Sequence, residues 1–141
     1  MKLLVATDGS ENALRAVTYA IDLLGKLAEP GSITLISVHD DVALRHARRF
    51  VGKETVDDYL RELSEADLAD ARKALDKAAV KHDYIIRTGH VATEIANAGR
   101  EGGFDLVVLG SKGRSALKDL VIGSVAKRVI ELSQVPVLLV R

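Results

Sequence analysis

The chemistry in this chain is concentrated near its C-terminus. Gly110-Ser111-Lys112-Gly113-Arg114-Ser115 is followed, after nine residues beyond Gly113, by Gly123-Ser124-Val125. Glycine lacks a Cβ, so backbone N–H groups at such positions can close on phosphate oxygens. Gly123-Ser124 stands where the last helix should begin. A helix start adds unpaired N–H groups, a hydroxyl and the positive end of the dipole. Lys112, Arg114, Lys118, Lys127 and Arg128 outweigh Asp119 between residues 110 and 128, so basic charge gathers at this loop. A single glycine would suggest only a tight turn; the full spacing points to a cradle for a polyphosphate tail.

Other motifs are weaker. Asp8, in Thr7-Asp8-Gly9-Ser10, is either an Asx-turn residue or a contact for a ligand's polar edge, and its charge suits ribose hydroxyls or an adenine amine better than phosphate. The Gly110 loop is no P-loop, because Lys112 precedes the second glycine and no Gly-Lys-Ser/Thr occurs. The first turn lacks a dinucleotide fingerprint. The third strand ends Arg87-Thr88-Gly89, without the Asp a phospho-acceptor receiver needs. His39, Asp40, Asp41 and His46 lack metal-ligand spacing, so no resident metal is expected. His90 reads as a loop histidine more readily than as a base contact. Ser115 and Ser124 could accept phosphate, but no general base is evident opposite them, and no catalytic residue is assigned.

Five short apolar runs position these residues. They are Leu3–Ala6, Ile33–Val38, Tyr84–Arg87, Leu106–Leu109 and Val137–Val140, each read as a strand. Between them lie stretches of helical period. Ser10 can cap a helix carrying Ala13, Ala16, Val17, Ala20, Ile21 and Leu24. A second helix is expected from about Val56 to Lys81. A short one runs through Val91, Ile95 and Ala98 to the Gly102-Gly103 cap, and a last one carries Val125, Val129 and Leu132. From Asp40 to Val56 the pattern is weak and reads as a loop with at most a short helix. Alternating strands and helices imply right-handed crossovers. The expected fold is one α/β domain over residues 1–141, an open parallel five-stranded sheet with helices on both faces, Rossmann-like. Ligands of such sheets sit beyond the carboxyl ends of the strands.

Composition narrows the class. The 141 residues carry 20 basic and 20 acidic side chains and no cysteine. That excludes disulfides, thiol catalysis and cysteine-ligated metals, and it leaves no global basic field for nucleic acid. No apolar run approaches a membrane span, and the N-terminus lacks a signal-peptide pattern. A cytoplasmic protein with no membrane or nucleic-acid partner is expected. The last strand carries no charge before Arg141. As an edge it would invite pairing through Val137–Val140 with a second copy across a two-fold axis.

Val5-Ala6-Thr7-Asp8-Gly9-Ser10, the strand ending in Val38, Gly89 before a short helix, Leu109 to Ser115, Gly123-Ser124-Val125 and Val135 to Val140 together resemble the universal stress protein family across essentially the whole chain. The glycine spacing resembles that family's ATP-binding branch. The resemblance implies strand order 3-2-1-4-5 and a homodimer. It implies that Ala6, Thr7 and Asp8 line the base and ribose side, with the Val38 backbone at adenine and Leu109 and Gly110 near the ribose and first phosphate. Gly113, Gly123, Ser124 and Val125 would hold phosphates through N–H groups and the Ser124 hydroxyl, and Arg114 and Lys112 would add charge. Ala126 departs from the Ser or Thr common there. The implied ligand is ATP, or AMP or ADP, with Mg²⁺ or Mn²⁺ carried on the phosphates. The implied function is a nucleotide-binding stress-response regulator with an unknown protein partner. The alternatives are a slow ATPase or self-phosphorylating protein, and a dimeric scaffold without nucleotide.

Overall fold

The computed structural model describes residues 1–112 and 122–141, apart from the side chains of residues 41 and 43. In chain order the elements are β1 (Lys2–Ala6), α1 (Glu11–Gly25), β2 (Ser32–Asp40), α2 (Asp41–Val51) and α3 (Lys53–Lys77). Then come β3 (Lys81–Gly89), α4 (Val91–Glu101), β4 (Leu106–Gly110), α5 (Ser124–Leu132) and β5 (Val137–Val140). The strands form one parallel sheet in the order β3-β2-β1-β4-β5, as expected.

The pleat of the central strands explains the three layers. Leu3, Leu4 and Val5 are fully buried, yet successive side chains point to opposite faces. Leu3, Val5, Ile33, Leu35 and Val108 pack with Ala16, Val17, Ala20 and Leu24 of α1 and Leu68, Ala71 and Leu75 of α3. Leu4, Ile36, Val107 and Leu109 pack on the other side with Ala92, Ile95 and Ala98 of α4 and Ala126 and Val129 of α5. A strand covered on both faces has no polar alternation, which is why these runs are continuous in the sequence.

Caps set the helix limits. The Ser10 side chain accepts a bond from the Ala13 N–H at 3.2 Å, starting α1 as expected. After α4 the chain reverses through Gly102 and then Gly103, whose φ of +62° is a left-handed position that favours glycine.

Three limits differ from expectation. The 40–56 stretch is not a loop: Asp40 accepts from the Val42 N–H at 2.8 Å and caps the helix α2. Among its described side chains only Leu44 is buried, and the arginines around it hide so short an inward stripe. The next helix spans Lys53–Lys77, ending before Lys81. Strand β3 is longer than Tyr84–Arg87, because edge pairing with β2 from Ser32↔Lys81 to Asp40↔Gly89 recruits polar residues that apolar patterning does not mark.

Candidate functional site

From β1 the chain winds outward through β2 to β3, while β4 lies on the other side of β1. The crevice between the carboxyl ends of β1 and β4 is therefore the switch point where a ligand fits. A cavity of about 230 Å³ opens there. One end is apolar, walled by Ala6, Ile36, Val38, Val91, Ile95 and Leu109. The other end is backbone and polar groups from Gly110, Ser111, Lys112, Gly123, Ser124, Val125 and Ala126, with Thr7 and Asp8 between.

The cavity thus gathers Ala6, Thr7, Asp8, Val38, Leu109, Gly110, Gly123, Ser124 and Val125 from strand ends and a helix start that are far apart in sequence. Gly113 and Arg114 lie outside the described residues, as do Ser115 and Lys118.

Hydrogen bonds separate the roles. The Thr7 N–H donates to the Ile36 carbonyl at 2.9 Å, and its hydroxyl donates to the Asp67 carbonyl at 3.4 Å while accepting from the Gly9 N–H at 3.3 Å. Thr7 shapes the wall with its bonds committed to the protein. Asp8 Oδ1 accepts the Ser10 N–H at 3.0 Å, an Asx turn made possible by Gly9 at φ +79°. That carboxylate also lines the cavity, so the turn and ligand readings of Asp8 are compatible.

At the polar end, the Gly123 N–H donates to the Ser111 carbonyl at 2.7 Å, and the Ser111 N–H donates to Val140 at 2.7 Å. These bonds pin the start of α5 beside the end of β4. Gly123 therefore contributes its bare Cα rather than its N–H. Its carbonyl accepts from Lys127 at 3.0 Å, and no side chain caps the helix. The amides of Ser124, Val125 and Ala126, the first turn, have no intrahelical acceptor and are the donors such a site offers. Ala126 itself is buried at 4% exposure, packed into the core beneath the cavity.

Asn12 was not singled out from the sequence. It is 8% exposed, and its Oδ1 accepts the Lys112 N–H at 2.8 Å, tying α1 to the loop after β4. Its signal was a polar residue continuing the inward Ala16–Ala20 stripe by one turn. Gly110 has a packing reason beside any ligand reason: a Cβ there would overlap Asn12 Oδ1 and stand 2.9 Å from the Asn12 carbonyl.

Two of the histidines, His39 and His90, are tied to neighbouring side chains. His39 Nε2 lies 2.9 Å from Ser64 Oγ, 3.2 Å from Ser37 Oγ and 3.9 Å from Asp67 Oδ2. All three meet the same ring nitrogen, whereas a Ser-His-Asp relay needs the carboxylate on the other one. His90 caps α4, with Nδ1 3.4 Å from the Thr93 N–H and 2.9 Å from Thr93 Oγ1. Among the described residues no three His, Asp or Glu side chains gather as a metal site, and no helix is long and apolar enough to cross a membrane.

Comparison with known proteins adds independent findings. A family profile described as the universal stress protein family matches residues 1–141. Universal stress protein YxiE of Bacillus subtilis is 32% identical over 147 residues, covering 99% of this chain and 98% of that protein. The solved structure of protein MJ0577, from Methanocaldococcus jannaschii, superposes with a TM-score of 0.84 at 28% identity, covering 99% of this chain and 94% of that one. A universal stress protein family protein of Arabidopsis thaliana, solved with AMP bound, has the same fold, with a TM-score of 0.69 at 16% identity and coverage of 99% and 90%.

Proposed function

The chain belongs to the universal stress protein family, and from that premise we propose that it is an adenine-nucleotide-binding regulator of the stress response. ATP, AMP or ADP occupies the cavity between β1 and β4. The observation that carries this reading is the cavity's two-ended chemistry. Apolar lining from the strand ends is joined, past the Asp8 carboxylate, by the first turn of α5, whose amides have no intrahelical acceptor. In that placement the base lies among Val38, Val91, Ile95 and Leu109, Asp8 accepts from ribose hydroxyls, and the phosphates take the N–H groups of Ser124, Val125 and Ala126. Gly113 and Arg114 complete the phosphate side. A divalent cation, Mg²⁺ or Mn²⁺, would be carried by the nucleotide rather than by a set of protein carboxylates, and would neutralise part of the phosphate charge. The AMP held by the Arabidopsis relative supports an adenine nucleotide as the ligand class.

Holding is favoured over transfer. Asp8 is the one acid among the described lining residues, no histidine is among them, and its Oδ1 accepts the Ser10 amide. The protein works as a homodimer. Strand β5 pairs on one side with β4, its four residues are half-buried, and no charge interrupts Val137–Val140. Antiparallel pairing with a second copy covers that edge.

Gly123→Leu tests the site. Gly123 has φ −60°, so the backbone tolerates a side chain, and the residue lines the cavity. Far-UV circular dichroism stays as in wild type while binding of a fluorescent ATP analogue is lost. An unchanged titration with the analogue overturns the assignment.

A further inference from the structure

The crossover from β2 to β3 is a helical hairpin, α2 and α3 joined at Gly52, whose φ of +81° makes the reversal. It lies toward the β3 edge of the sheet, away from β5. Leu44 turns inward from α2, and Val56, Ser64 and Leu68 turn inward from α3. The outward faces carry opposite charge. On α2 the exposed residues Val42, Arg45, His46, Arg49 and Phe50 follow i, i+3, i+4, i+7, i+8, one face of a helix. From residue 42 to Lys53 there is no acid, and Arg48 leans onto Asp57 of α3 at 3.2 Å. On α3, Glu54, Asp58, Glu62 and Glu65 form an exposed stripe that is acidic on balance, with Arg61 the one base within it.

The hairpin also exposes its largest rings. Phe50 is 83% exposed and Tyr59 57%, whereas Phe104, the other phenylalanine, is buried. Exposed aromatics beside arginines are the composition of contact hot spots.

We propose that the α2–α3 hairpin is a self-association surface, on which the basic face of α2 in one copy docks on the acidic stripe of α3 in a second copy, and the reverse. The complementarity is on one chain: a basic and an acidic face side by side are satisfied twice over by a two-fold axis between them. The pitch matches as well. Arg45 and Arg49 are one turn apart, as are Asp58 and Glu62, about 6 Å by helix rise. The ion pairs set orientation and partner choice, and burial of Phe50 and Tyr59 supplies affinity. An anionic membrane fits less well, because the acidic stripe beside α2 would face the same lipid charge.

Charge-swapped full-length chains test this. Arg45→Glu/Arg49→Glu makes both faces acidic, and Asp58→Arg/Glu62→Arg makes α3 basic like α2. All four positions are exposed, so both variants keep the wild-type circular dichroism spectrum. Sedimentation at tens of micromolar and low salt gives each variant a lower mass than wild type, half of it where the hairpin is the sole contact. An equimolar mixture regains the wild-type mass, since only the mixed pair is complementary at both contacts. Phe50→Ala weakens the wild-type association about tenfold. Equal masses for wild type and both variants, or a mixture that stays at the mass of the separate variants, overturn the proposal. Wild type that sediments no heavier than the variants but binds phosphatidylserine vesicles also overturns it, in favour of a membrane surface. With β5 also paired, contacts at both edges of the sheet link copies into longer assemblies, so the readout is wild type heavier than each variant rather than a fixed ratio. Both variants keep wild-type binding of the ATP analogue, which separates this surface from the nucleotide reading.

Discussion

Alanine at Gly110 distinguishes two reasons for a glycine at the end of β4. A Cβ there would overlap Asn12 Oδ1 and approach the Asn12 carbonyl to 2.9 Å. Asn12 cannot yield without losing the 2.8 Å bond that its Oδ1 accepts from Lys112. Overpacking costs about 1–3 kcal/mol, and the lost bond adds about 1 kcal/mol. A stiffer unfolded chain returns about 0.5 kcal/mol, since Gly110 is not at positive φ. Gly110→Ala should therefore destabilise by about 2–3 kcal/mol. In an Asn12→Ala background the side-chain overlap is gone and only the carbonyl contact remains, so the same change should cost about 1 kcal/mol. The coupling of about 1–2 kcal/mol is measurable by urea denaturation of all four proteins at one protein concentration. A Gly110→Ala cost that is the same with and without the Asn12 side chain, to within about 0.5 kcal/mol, would refute the packing argument. The doubly substituted protein should also bind the ATP analogue more weakly than wild type, because Asn12 no longer holds Lys112 at the cavity rim.

Ser10→Ala removes the acceptor for the Ala13 N–H and should lower stability by about 1 kcal/mol, with Ser10→Asp restoring it in the same urea assay. Leu68→Ala empties a fully buried position between α3 and the sheet and should cost about 2–5 kcal/mol, while Leu27→Ala at a 38% exposed position should stay within about 0.5 kcal/mol. Ser64→Ala deletes a fully buried hydroxyl 2.9 Å from His39 Nε2 and should cost about 1–2 kcal/mol in thermal or urea unfolding.

Where a residue's role depends on near neighbours in the chain, it was legible early. The continuous apolar run Leu3–Ala6, the Ser10 cap and the Gly102-Gly103 stop are each read from a few adjacent residues, because burial on two faces, capping and positive φ are local demands. The glycine and Ser124 pattern marked the polar end of the cavity for the same reason. Helix α2 escaped because, among its described side chains, Leu44 alone is buried, too little for periodicity to stand out from Arg45, Arg48 and Arg49. The polar start of β3 escaped because an edge strand is held by its neighbour's backbone, not by its own apolar side chains.

By itself, then, the sequence determined the parallel α/β class and the end of the sheet where the cavity opens. It did so because strand burial and helix capping leave signatures a few residues long. Only the tertiary structure decided which groups share the work. The Gly123 N–H was spent on Ser111, Gly110 made room for Asn12, and His39 was drawn to Ser64 and Asp67. The members of each pair stand on different elements. Their contact depends on how helices dock on a sheet, a geometry that no local pattern along the chain encodes.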